Sequence, residues 1–524
     1  MVEYKLRIPF FYEKKHLNEV ISYDDLKRLS EKIIAGSVEV IDGALEKANL
    51  SPKDIDMVLL VGGSSQLPML KDKIEQKMGK PPLSIPKKLM LAVAEGAALY
   101  SKEISLLPLY KREKRILGNS LGVEVNDGGR RSNKRLLGYD VELPASATHY
   151  LPLRENQGVV LLNLVTLKGT SDNTEKKLQA RKFKISKDAK EIGVNIKVDE
   201  NRVISLEAFN PASPEEKIAM QVDKDILSSE DVAVLRRQYG IGVDNSNKNI
   251  IGEEPCIGID IGTTTSEMVY VYRTTEGMET IDNPEMIMEY AKYSFPSIVY
   301  YKDGRNEVQV ASRAALDALG DANLSGYVYS SFKTQDWNKV LGQINNQNVT
   351  VQELTSHLIA KIWQTAKSDK LRLMNLKSAV ITIPAGFDSD QCQYLINAAQ
   401  IAGIEHVSLI DEPTAAFYYY KAKYAENMKD VKTVLVFDFG GGTTDVAILD
   451  VSSDTVIKEG YKDTIFKVLA TNCNLSCGGK DIDNAILEEI KDKFEKKNNI
   501  TLPDYAINRL LRECENAKVS LSSN

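Results

Sequence analysis

Residues 433–450 read TVLVFDFGGGTTDVAILD, and residues 256–273 read CIGIDIGTTTSEMVYVYR. In each stretch an apolar run ends at an acidic residue, Asp438 or Asp260, and a turn rich in Gly and Thr separates it from a second run with β-branched residues. This pattern predicts a strand, a tight polar turn and a second strand. Two such hairpins predict a duplicated fold in which two similar lobes face one another.

Both turns suit the binding of a phosphate. Glycine lets the backbone approach a ligand closely, and the threonines add hydroxyl groups. Asp260 and Asp438 stand where a hydrated Mg²⁺ that bridges phosphates would meet a carboxylate. One such turn alone is more often a plain hairpin, but two with matching acids indicate a nucleotide. The turn residues are Gly262, Thr263, Thr264, Thr265, Gly440, Gly441, Gly442 and Thr443.

Two further glycine elements stand at the start of predicted helices. Gly62, Gly63 and Ser64 follow the apolar run MVLLV at 57–61, and Gly478 and Gly479 precede the run KDIDNAIL. A helix N-terminus with glycines can accept a ligand closely. Each element is weak as a signal by itself.

The composition excludes several classes of protein. The 524 residues are 43% hydrophobic and 27% charged, which is typical of a globular protein of several domains. A net charge of -6 gives no electrostatic reason to expect nucleic acid. No apolar run reaches the roughly 20 residues of a membrane span, and the start MVEYKLRIPFF lacks the core of a signal peptide. Five scattered cysteines do not form a disulfide framework, so the sequence predicts a cytosolic protein.

The pattern changes along the chain. Residues 20–102 alternate helical and strand segments, whereas 117–209 show short alternating runs that predict an antiparallel β domain. Residues 226–255 predict a short charged helix and then a linker rich in turn formers. Mixed α/β character returns afterwards, with helices predicted at 352–368, 389–402 and 481–496.

These segments resemble the nucleotide-binding domain of the DnaK, or seventy-kilodalton heat-shock, chaperone family. The resemblance implies an α/β fold of two actin-like (ribonuclease H-like) lobes, with an antiparallel β-sandwich that binds peptides. It also implies ATP/ADP and Mg²⁺ as ligands, slow ATP hydrolysis, and unfolded polypeptides, a J-domain co-chaperone and a nucleotide exchange factor as partners. The matching motifs are IGIDIGTTTS, VLVFDFGGGTTDVAIL, LIDEPTAAF, LLVGGSSQLP, FPSIVYY, ITIPAGFDSDQ, CGGKDIDN and CENAKVSLSS.

The resemblance also assigns roles to single residues. Lys333 is similar to the lysine that positions the attacking water, and Glu412 to the carboxylate that helps hold the metal-bound water. Without the resemblance, Lys333 would be read as a solvated surface charge. The acids Asp260 and Asp438 would hold the hydrated Mg²⁺, and Thr263 and Thr443 would contact the phosphates. The remaining nucleotide contacts implied are Glu515, Lys518 and Ser522 on one helix, with Gly62, Gly63 and Ser64 from the other lobe.

The order of the motifs is rotated relative to the family. The resemblance predicts residues 1–104 as the C-terminal part of the nucleotide-binding domain, 105–239 as the peptide-binding β-sandwich, 240–254 as a linker and 255–524 as the N-terminal part with both phosphate loops. The helical lid of the family is missing from this arrangement. The alternatives are a domain-swapped pair and a piece of a longer tandem protein.

The sequence departs from the family at several positions. Val519 and Gln66 replace the two arginines that sandwich adenine, and Met90 replaces an acidic residue. Cys392 replaces the arginine that relays nucleotide state to the β domain, and the joining segment ISLLPLYKREKRI at 104–116 is basic where the family has an aspartate. These changes predict altered adenine binding and altered coupling between domains.

Two other classes of function stay open. One is a nucleotide-dependent module whose β domain binds a folded partner, which the missing lid and the lost arginines favour. The other is a sugar or acetate kinase on the same two-lobed fold, against which the β domain and the pair of Lys333 and Glu412 argue.

Overall fold

A computed structural model describes residues 3–83, 91–106, 116–127, 130–167, 171–221, 227–242, 256–274, 277–281, 295–337, 339–368, 376–424, 428, 430–452, 455–458, 461–464 and 466–522. The prediction at Met90, most of the joining segment (107–115) and most of the linker (243–254) lie outside these residues. None of the described helices is both long enough and apolar enough to cross a membrane.

The elements run through the chain in three blocks. The first block is β1 Glu3–Tyr12, β2 Lys15–Ser22, α1 Tyr23–Ala48, β3 Met57–Val61, α2 Pro68–Met78 and α3 Ala92–Leu106. The second is β4 Ser120–Asp127, β5 Arg130–Leu137, β6 Ala145–Pro152, β7 Val159–Leu167, β8 Thr174–Lys184, β9 Glu191–Val198, β10 Ile204–Asn210, β11 Ser213–Gln221 and α4 Ser229–Tyr239.

The third block carries both quoted hairpins. It consists of β12 Cys256–Ile261, β13 Thr265–Thr274, β14 Gly277–Ile281, β15 Phe295–Pro296, β16 Ile298–Arg305, β17 Glu307–Val310, α5 Arg313–Leu319, β18 Val328–Ser330, β19 Val340–Ile344, β20 Gln347–Thr350, α6 Val351–Ser368, β21 Ser378–Ile383, α7 Ser389–Ala402, β22 His406–Asp411, α8 Glu412–Tyr424, β23 Thr433–Phe439, β24 Thr444–Asp450, β25 Thr455–Lys458, β26 Tyr461–Thr464, β27 Lys467–Asn474, α9 Gly479–Asn498 and α10 Asp504–Ser522. The three helices predicted in this block are confirmed as α6, α7 and α9.

Two sheets of the same plan are built on the two quoted hairpins. In one sheet, the antiparallel pair β12–β13 is extended on the β12 side by the parallel strand β21. In the other, the antiparallel pair β23–β24 is extended on the β23 side by the parallel strand β3. This repetition confirms that the two hairpins occupy equivalent places in two similar mixed sheets.

The first block completes the second sheet. Val58 of β3 pairs with Leu435, and Val61 pairs with Asp438 at the end of β23. Leu26 of α1 is fully buried in an apolar core that also holds Phe437. The first block and the end of the third block therefore share one interior. Its members include Leu26, Ile41, Leu60, Phe437, Ile486 and Leu510.

Local sequence explains where the helices of this core begin. Ser22 caps α1, because its hydroxyl accepts a hydrogen bond from the backbone of Asp25, whose carboxylate accepts one from the backbone N–H of Ser22 at 3.1 Å. Asn49, in the left-handed conformation, ends the helix. The hairpin β1–β2 precedes α1 and contacts α10, where the Tyr4 hydroxyl donates to Glu513 at 3.1 Å. The sequence analysis did not predict this hairpin.

The helix α3 packs against the strand β12 and the helix α8 at points of close backbone approach. A Cβ atom on Gly258 of β12 would lie 2.8 Å from the Ala97 carbonyl carbon. Gly96 of α3 lies in the same way against the backbone of Ala415 in α8. Only glycine fits at these two contacts, so the helix from the first block is fixed against elements of the third.

The second block contains two four-stranded antiparallel sheets, ordered β5-β4-β7-β8 and β11-β10-β9-β6. Their facing side chains form one apolar core, with Val123 and Leu164 from one sheet and Val194 and Leu206 from the other. This arrangement agrees with the antiparallel strands predicted over 117–209. We refer to residues 116–221 as the β-sheet pair.

The helix α4 lies outside the β-sheet pair. Its Arg236 donates to the carbonyl oxygens of Ile401 at 2.9 Å and Gln400 at 2.8 Å, at the C-terminal end of α7. Tyr239 is buried in the core that contains Ile257 and Ile381. The short helix predicted after residue 226 is thus present, and it packs on the sheet built from β12.

Candidate functional site

A cleft lies between the sheet built on β12 and the sheet built on β23. It is lined by residues that come from well-separated parts of the sequence. Its lining residues are Gly62, Gly63, Ser64, Gln66, Leu67, Val93, Asp260, Gly262, Thr263, Thr264, Thr265, Glu267, Lys333, Glu412, Asp438, Gly440, Gly441, Thr443, Lys480, Asp483, Glu515, Lys518, Val519 and Ser522.

The turn between β12 and β13 is held by a serine next to it. Ser297 donates its backbone N–H to the Thr264 carbonyl and its hydroxyl to the Gly262 carbonyl, each at 2.8 Å. The Thr382 hydroxyl donates to Asp260 Oδ1 at 2.7 Å. The predicted residues Gly262, Thr263, Thr264 and Thr265 therefore line the cleft on a fixed turn, with Asp260 at its base.

The turn between β23 and β24 rests on the start of α9. Gly479 N–H donates to the Gly440 carbonyl at 3.0 Å, and Lys480 N–H donates to the Gly441 carbonyl at 2.8 Å. A Cβ atom on Gly478 would lie 2.5 Å from the backbone nitrogen of Gly442. Gly442, Gly478 and Gly479 thus support the wall of the cleft and do not line it, unlike the other predicted glycines.

The two turns approach each other across the cleft. A Cβ atom on Gly442 would lie 2.7 Å from Thr263 Oγ1, and one on Gly441 would lie 2.9 Å from Thr264 Oγ1. The glycines of one turn therefore make room for the threonines of the other. Asp260 and Asp438, each at the base of its turn, line the same cleft.

The segment after β3, residues 62–64, forms one side of the cleft. Gly62 has φ +83, a conformation that glycine adopts without strain, and a Cβ there would lie 2.5 Å from the Phe439 carbonyl oxygen and would also overlap Asp438 Oδ1. Ser64 lies against Gly479. Gly62, Gly63 and Ser64 are thus placed beside the second turn, in the sheet of β23 and on the core shared with α10, and not on the opposite lobe that the sequence analysis expected.

Lys333 and Glu412 form a buried ion pair in the cleft. Lys333 Nζ donates to Glu412 Oε1 at 2.5 Å, and both side chains are less than 10% exposed. Burial alone would lower the pKa of Lys333, but Glu412 and Asp260 outweigh it and raise the pKa above its ordinary value. Lys333 therefore stays a cation at neutral pH and points into a cleft rather than into solvent.

The nucleoside end of the predicted site lies on α10. Glu515, Lys518 and Ser522 line the cleft, as do Gln66 and Val519. Lys518 Nζ already donates to Asp483 Oδ2 at 2.7 Å and to the Gly479 carbonyl at 3.0 Å. Val519, at 56% exposed, presents an apolar surface at one of the two positions where the resemblance implies an arginine.

Among the described residues, six carboxylates and three lysines line the cleft. Burial raises the pKa of Asp438 well above its usual range, and the charges of Glu412, Asp445 and Asp260 raise it further. No three Asp, Glu, His or Cys side chains of the described residues are grouped closely enough to hold a metal ion directly. The donor set instead fits a hydrated divalent cation that shares its coordination with phosphate oxygens.

The comparison with protein families agrees with this geometry. The model of the family described as Hsp70 protein matches residues 2–240 and 321–524. The chain belongs to the Hsp70 family. The resemblance to DnaK inferred from the motifs is therefore confirmed, and the family implies an actin-like ATPase fold. The first turn, at 257–266, falls between the two matched segments.

Curated relatives support the same family. The chain is 34% identical over 274 residues to "Chaperone protein DnaK" of Endomicrobium trichonymphae, covering 51% of this chain and 40% of the relative. It is 31% identical over 274 residues to the protein of the same name from Metamycoplasma hominis, and 32% over 279 residues to that from Mycoplasmopsis synoviae (strain 53). These alignments cover 52% of this chain and 42% and 41% of the relatives, so the chain matches about two fifths of their length.

The sequence analysis missed several polar residues of the Hsp70-family cleft. Lys480 and Asp483 belong to the quoted CGGKDIDN but were given no role, and Glu267 was not singled out. Asp445, the second residue of β24, is buried behind the second turn without lining the cleft and accepts from Ala385 N–H at 2.7 Å. Glu267 could have been predicted from the hairpin pattern. Directly paired residues of two antiparallel strands point to the same face, so the residue that pairs with Asp260 lies on the side of the sheet where Asp260 lies.

Glu267 is the cross-strand partner of Asp260. The two residues pair across β12 and β13, and Glu267 is 3% exposed with Oε2 in no hydrogen bond. Burial raises the pKa of Glu267 well above its usual range, and the charge of Asp260 raises it further. Glu267 therefore adds a carboxyl group next to the place where phosphates would lie.

We expect Glu267 to make ATP affinity depend on pH. A carboxyl with a raised pKa is neutral at low pH and negative above its pKa, so the affinity for an anionic ligand falls as pH rises. With excess Mg²⁺, titration from pH 6 to 9 should show a loss of up to about tenfold in the unchanged chain and a flatter profile in Glu267→Gln. Glu31→Gln, an exposed carboxylate on α1, is the control, and equal slopes in all three proteins would contradict this expectation.

Proposed function

We propose that this Hsp70-family chain binds ATP with Mg²⁺ in the cleft, hydrolyses the γ-phosphate slowly, and binds extended apolar polypeptides through the β-sheet pair. The observation that carries the proposal is that two Asp-led glycine turns and the Lys333–Glu412 pair line one cleft. Glycine turns with backbone N–H groups and hydroxyls suit phosphates. A buried lysine beside a carboxylate suits the placing of a water molecule near the last phosphate.

Each residue then has a defined task. Asp260 and Asp438 would hold Mg²⁺ through its water ligands, and the ion would supply neutralising charge to the phosphate oxygens. Thr263 and Thr443 donate hydroxyls to phosphates from opposite turns. Lys333 orients the attacking water, and Glu412 keeps Lys333 charged and in place through their 2.5 Å contact. Positioning and fixed charge account for the rate increase.

We also propose the nucleotide-binding domain to be made of residues 255–524 followed by 1–104, in circularly permuted order. The parallel pairing of β3 with β23 and the shared core of the first and third blocks support this arrangement. Both turns and Gly62 line one cleft of a single chain. Closure within one chain is part of this proposal, and a domain-swapped pair is the alternative.

The name "Chaperone protein DnaK" of the relatives supports a chaperone role, with unfolded polypeptides, a J-domain co-chaperone and a nucleotide exchange factor as partners in the cytoplasm. The second candidate is a nucleotide-dependent interaction module with little chaperone cycling. The exposed Val519 and the presence of Gln66 in place of an arginine favour it, because they change the surface offered to the base.

Titration with ATP and Mg²⁺, with the mass measured in solution, tests the site and its closure together. We expect one ATP per chain of 58.3 kDa, binding that requires Mg²⁺, and no change of mass. No binding would refute the nucleotide site, and binding confined to a dimer would refute closure within one chain.

A single-turnover assay with an apolar peptide separates the two candidate functions. Peptide-stimulated hydrolysis supports the chaperone, because it requires communication between the β-sheet pair and the cleft. Hydrolysis that no peptide changes supports the interaction module. A charged peptide of equal length is the control.

A further inference from the structure

A turn of the β-sheet pair inserts an arginine into the nucleotide-binding part. Arg202, between β9 and β10, is 4% exposed, and Asp411, the last residue of β22, is 1% exposed. Arg202 Nη1 lies 2.8 Å from Asp411 Oδ1, and Nη2 donates to Oδ2 at 3.1 Å. The two side chains therefore form a buried ion pair with two contacts, a geometry that only arginine offers.

The turn is locked in place by neighbouring contacts. Arg202 has φ +65, a conformation uncommon for residues other than glycine, and its N–H donates to the Asp199 carbonyl at 3.1 Å. Asn201 accepts from Leu409 N–H at 2.9 Å and donates to the Val407 carbonyl at 3.4 Å. The turn thus follows the edge of β22 up to the residue before Glu412.

Arg202 also contacts Ala385, in the segment that follows β21. Its Nη1 donates to the Ala385 carbonyl at 3.1 Å, and the N–H of the same residue donates to Asp445 Oδ1 at 2.7 Å. Asp445 is fully buried at the end of the second turn. Arg202 is therefore one residue away from Glu412 on one side and one residue away from Asp445 on the other.

The charge of Asp411 acts on Glu412. Burial raises the pKa of Glu412, Lys333 lowers it, and Asp260 and Asp411 raise it further. Without Arg202, the buried negative charge of Asp411 would have no cation facing it among the described ion pairs. That charge would disfavour an ionised Glu412 and weaken its contact with Lys333.

We propose that Arg202 is a positioning residue of the nucleotide site, which neutralises Asp411 and so holds Glu412 and Lys333 ready for hydrolysis. Cys392, which stands where the family resemblance implies a relay arginine, is fully buried and carries no positive charge. This inference rests on the proposed ATP hydrolysis.

Four proteins test the proposal: the unchanged chain, Arg202→Met, Asp411→Asn and the double variant. Single-turnover hydrolysis and ATP affinity are measured below the melting temperature of each. We expect Arg202→Met to slow hydrolysis at least tenfold with affinity changed less than threefold. The double variant should recover to within threefold of Asp411→Asn, because no uncompensated carboxylate remains. Lys197→Met, an exposed lysine on β9, is the control.

Recovery of hydrolysis in the double variant distinguishes a positioning role of Arg202 from a general role in stabilising the fold. A double variant as slow as Arg202→Met overturns the proposal, since Arg202 would then act by some route other than Asp411. If Arg202→Met does not fold, Arg202→Gln takes its place, and recovery of hydrolysis in the Arg202→Gln/Asp411→Asn double variant relative to Arg202→Gln decides in the same way. An unchanged chain that does not hydrolyse ATP refutes the proposed function, and this inference with it. Hydrolysis without rescue refutes the inference alone.

Discussion

Lys333→Ala is expected to slow single-turnover ATP hydrolysis by at least about 10²–10³-fold and to change ATP affinity far less. The lysine lines the cleft together with Asp260 and Asp438, and Glu412 and Asp260 raise its pKa and so keep it protonated. Lys333 stabilises the charge that moves between water and phosphate in the transition state. Its loss therefore slows the chemical step more than it weakens ATP binding. Rapid-quench measurement with excess enzyme separates that step from product release.

Two further variants make this result interpretable. Removal of Lys333 leaves Glu412 buried without its cation, which costs about 3–5 kcal/mol and lowers the melting temperature. Lys333→Met keeps the volume of the side chain and should be equally slow, whereas Lys339→Ala, an exposed lysine six positions on, should hydrolyse ATP normally. Normal turnover by a folded Lys333→Ala protein would remove Lys333 from the mechanism.

Gly62→Ala is expected to weaken ATP binding by about 100-fold or more. The added methyl group would meet the Phe439 carbonyl oxygen at 2.5 Å and overlap the Asp438 carboxylate, so Asp438 and the second turn must shift. A displacement of about 1 Å at a positioned group has large effects on a site built on fixed geometry. Isothermal titration of ATP with excess Mg²⁺ measures the loss.

Gly79→Ala provides a matched control. Gly79 also has a positive φ, +68, at the end of α2, but no atom lies within 4 Å of a Cβ built there. Gly79 lies in the left-handed helical region (ψ 15), where alanine costs about 1 kcal/mol, whereas Gly62 (ψ 147) lies in a region that glycine alone populates readily, so Gly62→Ala adds both further strain and the overlap. Equal affinities for the two variants would show that the segment after β3 does not shape the site.

The sequence predicted those parts of the fold that depend on local pattern. Asp260 and Asp438 were found because an acid, a glycine turn and flanking β-branched runs lie within about a dozen residues. That they would line one cleft was predicted only from the match of several motifs to the DnaK family. The helices α6, α7 and α9 were found by their 3.6-residue period.

Contacts between distant segments could not be predicted in the same way. The burial of Glu267 Oε2 without a hydrogen-bond partner depends on the segments that pack around β13. Arg202 reads as a surface turn residue, since nothing in DENRV indicates that Asp411, about 200 positions on, will face it. The hairpin β1–β2 was missed because its pattern is irregular at Phe10, which has a positive φ. Such pairings are fixed by topology rather than by neighbouring sequence.

The pairing of β3 with β23 has a consequence for how this protein is made. The strands are about 370 positions apart, so at roughly 5–20 residues per second the ribosome finishes the second on the order of 20–70 s after the first. During that interval the apolar face of α1 and β3 waits without its partner strand. The segment around β3 can therefore complete its core only late in synthesis, and we expect its apolar face to stay exposed in the nascent chain until then.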